Sequence, residues 1–208
     1  MKIYVAGPEH YGKWIKNYEL VRRIDKADLV ILTGGADVNP LLYGQKKLIL
    51  TSTNDVDDSK DTAVTNIAIK EGVPILGICR GSQFLCVRAG GTLIQDCDNH
   101  AISGTHKIIT KDGDIFEITS THHQMANLDS LKENEDYQLI AKAHPKLSTY
   151  YKDDTGNLNI ENEPEITYYP KINALGIQGH PEYMGKDEPI VNYLNYLINY
   201  YLIKEKVI

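Results

Sequence analysis

A thiol, an imidazole and a carboxylate can together open an amide, and the chain carries a candidate for each at Cys79, His180 and Glu182. Cys79 sits in Gly77-Ile78-Cys79-Arg80-Gly81, where an apolar run turns abruptly into an amphipathic one. That is the layout of a nucleophile elbow with cysteine in place of serine. Small neighbours let strand and helix crowd together, and a strained backbone pushes the nucleophile into the open. A sulfur at the start of a helix faces unpaired N–H groups and the positive end of the dipole, which favour thiolate over thiol. Read alone, Gly-x-Cys-x-Gly fits a buried core cysteine between packing glycines equally well. Cys86, inside the following helical stretch, reads as a small core residue, and Cys97 has no elbow around it.

A thiolate attacking an amide needs a group to move the proton, and His180-Pro181-Glu182 offers an imidazole with its orienting carboxylate. Residues two apart in an extended segment face the same side. Glu182 can therefore hold one ring nitrogen while the other faces sulfur, and Pro181 stiffens the pair. The tripeptide is weak by itself and gains force from the elbow. Backbone N–H groups at tight glycine turns are the usual oxyanion donors. Arg80 follows the nucleophile directly, and Gly35 lies where the apolar run 29–33 enters Gly34-Gly35, although an ordinary strand-ending turn accounts for that pair as well.

The elements that must position these groups alternate between buried strands and amphipathic segments. Residues 2–6 and 29–33 read as strands, with an amphipathic helix over 14–24 between them. Residues 61–71 place Ala63, Val64, Ile67 and Ala68 on one helical face, Gly72 closes that helix, and 73–78 reads as a buried parallel strand. The helix after the elbow begins near Gly81 and stops at Gly90-Gly91. A hairpin over 107–119 turns at Lys111-Asp112-Gly113-Asp114, and further strands are predicted at 137–143, 165–169 and 174–178, with an exposed loop at 152–157. A last helix spans 189–206, and its tyrosine-rich stripe reads as core packing in preference to a homodimer face. This alternation predicts an α/β sheet covered on both faces.

The bulk properties narrow the partners. At 208 residues the chain suits one domain over 1–208. A net charge of −6 gives no long-range attraction to nucleic acid or anionic membranes. No run approaches the roughly 18 apolar residues of a membrane span, and the apolar start is too short for a signal peptide. Three cysteines without a leader predict free thiols in a reducing, cytoplasmic setting.

Four stretches then fall into a known order: 32–40 with Tyr43-Gly44, 77–83, 120–124 and 176–182, with Gly90-Gly91-Thr92-Leu93 and Gln95-Asp96 between. Together they resemble the γ-glutamyl hydrolase branch (peptidase C26) of the class I glutamine amidotransferases. The resemblance implies a flavodoxin-like three-layer sandwich, with a mostly parallel central sheet and a small antiparallel excursion. It implies Cys79 as nucleophile, His180 as acid and base, Glu182 as its orienter, and Gly35 and Arg80 as backbone oxyanion donors. Gln83 should contact a γ-glutamyl group, whose α-amino and α-carboxylate ends should lie against the backbone of Thr121, His122 and His123. Hydrolysis would need no cofactor. The adjacent histidines, with Cys97, His100 and His106 as conceivable helpers, would suggest a metal, but no regular ligand spacing supports one and none is expected.

The chain departs from the family pattern in places. The region before Gly34 is short enough that a sheet edge is expected to be trimmed, and Gly179 stands where the family has tryptophan, which is expected to widen the pocket. The implied substrate is a small γ-glutamyl amide. Two other readings share the fold: a glutaminase subunit feeding ammonia to a synthetase or amidoligase partner, and a non-catalytic binding module.

Overall fold

The computed structural model describes residues 1–203. Strands β1 (Lys2–Val5), β2 (Glu19–Leu20) and β3 (Leu29–Leu32) precede helix α1 (Asp55–Glu71), strand β4 (Ile75–Ile78) and helix α2 (Arg80–Arg88). The hairpin β5 (Ala101–Thr110) and β6 (Ile115–Thr121) follows, then β7 (Gln138–Ala143), β8 (Pro164–Tyr169), β9 (Ala174–Ile177) and helix α3 (Pro189–Leu197).

Among the described residues nine strands form one sheet in the order β2-β1-β3-β4-β9-β8-β7-β5-β6. Pairing is parallel from β2 to β9 and antiparallel from β9 to β6. The parallel sheet of the expected α/β class is thus present, and the antiparallel part extends over four pairs, wider than a small excursion.

Strands buried on both faces carry side chains that alternate between two cores. Leu29, Ile31, Leu76, Ile78, Leu175 and Ile177 pack with α3 through Ile190, Val191 and Leu194. Val30, Leu32, Ile75 and Ala174 face Val64 and Ala68 of α1 and Phe84 and Leu85 of α2. All four side chains of β3 are fully buried, each contributing about 1.5–3 kcal/mol. This double burial holds the ends of β3, β4 and β9 in line, and the candidate site lies just beyond them.

Several local expectations are corrected. Residues 14–24 form no α-helix. Asn17 takes a left-handed φ of 53°, and the chain returns as β2, with the Glu19 and Val21 N–H groups donating to the Met1 and Ile3 carbonyls. The apolar spacing there instead reflects Trp14 and Ile15 plugging the α3-side core. The sheet edge is therefore two short strands.

Helix α1 begins at Asp55, earlier than expected, because the Asn54 side chain caps it by accepting from the Val56 N–H. Its buried face is Asp58, Asp61, Val64, Thr65 and Ala68, while Ala63 and Ile67 are exposed.

Residues 152–157 are a tight hairpin rather than a loop, with Asp153 buried and accepting from the Thr155 N–H and hydroxyl. Helix α3 passes into a π-helical stretch at Ile198–Ile203, and the expected continuation over 204–206 lies outside the described residues. Tyr201 is buried as expected, but Tyr196 and Tyr200 are exposed and stack on each other.

Candidate active site

The elbow is set by glycines that permit close approach. A Cβ on Gly77 of β4 would lie 2.5 Å from the Gly81 backbone, and one on Gly81 would lie 2.5 Å from the Leu32 carbonyl oxygen of β3. Side chains cannot occupy that space, so α2 starts directly over the sheet. Cys79 makes the connection with φ 51° and ψ −108°, a region costing a non-glycine residue about 1–3 kcal/mol.

Behind the sulfur stands His180. Its N–H donates to Thr119 Oγ1 of β6 at 2.8 Å, and that hydroxyl donates back to the His180 carbonyl at 3.1 Å, a two-bond clamp on the backbone. The ring Nδ1 is 2.7 Å from Glu182 Oε1, whose carboxylate is fully buried. With Nδ1 committed to Glu182, Nε2 is the ring nitrogen left free to serve Cys79. Burial opposes a charged ring, but hydrogen bonds and charge from Cys79 and Glu182 outweigh it and push the His180 pKa up to about 10. Tyr183 stacks on the imidazole at 4.9 Å, and Tyr11 lies near it with its hydroxyl pKa raised by burial and by Glu182. Sulfur, imidazole and carboxylate thus converge although about a hundred residues separate the first from the others.

The glycine turn after β3 passes under this group. A Cβ on Gly34 would meet the Tyr11 hydroxyl at 2.7 Å and His180 Cε1 at 3.0 Å. The Gly35 N–H has no protein acceptor among the described residues, and Arg80 opens α2, where the first N–H groups have no intrahelical partner. Both donors flank Cys79 in a cleft of about 240 Å³ that also takes in Asp37, Gln83, Thr121, His122 and His123.

The Arg80 side chain points elsewhere. It is 2% exposed and ion-pairs with Asp58 and Asp61 on the buried face of α1, tying the start of α2 to the neighbouring helix. Burial raises the pKa of both carboxyls, against the pull of Arg80.

Gln83, predicted from the resemblance, is buried; its Nε2 donates to the Gln124 carbonyl at 2.8 Å and to Gln178 Oε1 at 3.3 Å, and among the described residues no protein group donates to its own Oε1. His122 is held neutral, its pKa driven well down by burial and by His100, and its Nδ1 donates to the Gln124 carbonyl at 2.9 Å. His123 pairs with Asp37 at 3.2 Å, which raises its pKa. The cleft can therefore offer donors to an oxyanion, an acceptor at Gln83 and a thiol beside an imidazole whose charged form is favoured.

Behind His122, the buried His100, His106 and Glu165 bring ligand-capable atoms within 4.8 Å of one another. His106 Nε2 is 2.9 Å from Glu165 Oε1. Sequence spacing hides this cluster because His100 and His106, just before and within β5, meet Glu165 from β8. Cys97 bonds the His123 carbonyl instead, at 3.3 Å.

Sequence reasoning passed over Tyr11, Tyr183, Gln178, Asp58 and Asp61. Only the two aspartates left a signal, an i,i+3 spacing that puts them on the helical stripe of Val64, Thr65 and Ala68. The expectation that Gly179 widens the pocket is corrected. A Cβ there would meet Ile118 Cγ1 at 2.6 Å and the Thr119 carbonyl oxygen at 2.7 Å, so β6 fills the space.

The family model described as Peptidase C26 matches residues 14–146, a span that contains Cys79 and ends before His180. The glutamine amidotransferase-like protein YvdE of Lactococcus lactis is 32% identical over 179 residues, covering 81% of this chain and 69% of that protein. The γ-glutamyl-γ-aminobutyrate hydrolase PuuD of Escherichia coli is 36% identical over 78 residues, 36% of this chain and 29% of that protein. Among solved structures, the glutaminase domain of Trypanosoma brucei CTPS with bound acivicin superposes with a TM-score of 0.57, covering 95% of this chain and 92% of that one. At 11% identity that likeness is one of fold.

Proposed function

The chain belongs to the Peptidase C26 family, and from that premise we infer that it is a cysteine hydrolase that cleaves a γ-glutamyl amide through a γ-glutamyl thioester. The observation that carries this reading is the Cys79–His180–Glu182 array at a strained elbow opening onto a cleft with two free backbone donors.

In the proposed reaction the substrate's γ-carbonyl lies against Cys79, with its oxygen toward the N–H groups of Gly35 and Arg80. Cys79 thiolate attacks the carbonyl carbon, and the oxyanion that forms is held by those two donors. His180, already protonated by its setting, gives its proton to the departing amine nitrogen as the C–N bond breaks. Water then attacks the thioester carbon and yields its proton to the neutral ring, and collapse releases glutamate and the thiolate. Glu182 holds the ring orientation throughout. Gln83 and the Thr121–His123 turn receive the two ends of the glutamyl group. The thiol chemistry suits a reducing, cytoplasmic setting.

The test is glutamate release by wild type and by Cys79→Ala from a panel of γ-glutamyl amides, glutamine and folate polyglutamate. Turnover of γ-glutamyl amines by wild type alone supports the reading. Turnover surviving in Cys79→Ala overturns it, and activity confined to glutamine with a synthetase present replaces it with ammonia supply.

A further inference from the structure

Gln178 follows β9 and is 2% exposed, and its amide touches both the sulfur and the residue read as glutamyl-binding. The orientation of that amide is forced. The Gln124 carbonyl can only accept, so the Gln83 atom 2.8 Å from it is Nε2. The second hydrogen on that nitrogen points at Gln178 at 3.3 Å, so the Gln178 atom there is Oε1. Its own Nε2 is then the end that lies 3.8 Å from Cys79 Sγ, with an N–H directed at the sulfur.

An N–H aimed at sulfur favours the charged form, because a thiolate accepts a hydrogen bond far better than a thiol does. We propose that Gln178 is a catalytic residue, a fixed donor to Cys79 that stabilises its thiolate, and that Gln83 keeps this donor from inverting. Gln83 thereby has two tasks. Its Oε1 remains open to the cleft, while its nitrogen locks the Gln178 amide. The other titratable groups facing the sulfur are His180, with Glu182 behind it, and Tyr11. The Arg80 guanidinium is occupied by Asp58 and Asp61.

This inference rests on Cys79 being the nucleophile but not on which amide it cleaves, so its test needs no substrate. In a Cys86→Ser, Cys97→Ser background, the rate of iodoacetamide alkylation of Cys79 is measured across pH. Gln178→Leu should raise the alkylation midpoint by about one pH unit, in line with a lost hydrogen bond to a charged group. Gln178→Glu, nearly the same shape, should raise it further by placing an anion beside the sulfur. Gln83→Leu should give a smaller rise, since the freed amide can turn its oxygen toward sulfur. Circular dichroism and urea unfolding establish that each variant is folded. Should Gln178→Leu fail to fold, Gln178→Glu and Gln83→Leu carry the test. An unchanged midpoint in the folded variants, with Cys79 still reacting as an activated thiol in the background protein, overturns the role of Gln178. A background protein whose Cys79 reacts only as an ordinary thiol overturns the reading of Cys79 itself.

Discussion

Replacing Cys79 by glycine should leave a more stable protein than replacing it by alanine, the reverse of the usual order. Both variants remove the sulfur, so the comparison isolates the backbone. At φ 51° and ψ −108° alanine retains the full conformational penalty of the elbow, about 1–3 kcal/mol, whereas glycine is at ease there. Against that relief stand the extra unfolded-state entropy of glycine, about 0.5–1 kcal/mol, and the loss of one mostly buried methyl, at most about 0.8 kcal/mol. Taken at the middle of those ranges, the balance favours Cys79→Gly by about 0.5 kcal/mol, which for a chain of this size corresponds to about 1–2 °C in Tm. Urea unfolding of both variants at one pH gives the difference directly. Ala63→Gly, at an exposed position inside α1, serves as the ordinary case and should lose about 0.5–1 kcal/mol. If Cys79→Gly proves less stable than Cys79→Ala by about 1 kcal/mol or more while the control behaves, those opposing terms act with little relief of strain against them, and the account of how Cys79 is presented fails.

Asp61→Asn should cost about 2–3 kcal/mol in urea unfolding, less than a buried charge left with no partner, because Arg80 keeps Asp58. Gly179→Ala should destabilise by about 1–3 kcal/mol through its clash with Ile118 and Thr119, without enlarging the range of amides accepted. Because the His180 pKa is raised in the fold, the stability it contributes is fully present below about pH 6.5, the unfolded value, and is lost as pH rises through about 10. Urea midpoints measured between those limits should fall for wild type and fall less for Cys79→Ala, which lacks the sulfur that sustains the charge.

The strands that carry the site, the elbow and the pairing of His180 with Glu182 are legible in the sequence, because each is written in local pattern. Leu29–Leu32 and Ile75–Ile78 are runs too apolar to face water on either side, and Gly77 and Gly81 bracket a turn that admits little else. Where local pattern is ambiguous the reading erred. The apolar spacing over 14–24 suits a helix, yet Trp14, Ile15 and Tyr18 pack into the α3-side core and Ile24 into the opposite one, because β2 can hydrogen-bond along the open edge of β1. Helix α1 was expected to bury Ala63 and Ile67, but the demand of a buried Arg80 for two carboxylates turned Asp58 and Asp61 inward.

What the chain alone determined, then, was which chemical groups exist and which short segments present them, since backbone preference and hydrophobic period act over a few residues. What only the tertiary structure decided was their meeting. The charge on His180, the direction of the Gln178 amide, the burial of the Arg80 ion pair and the space denied beside Gly179 each depend on atoms from strands distant in sequence. Electrostatic and packing energies are set by distance through space, and sequence separation does not specify that distance until the sheet has formed.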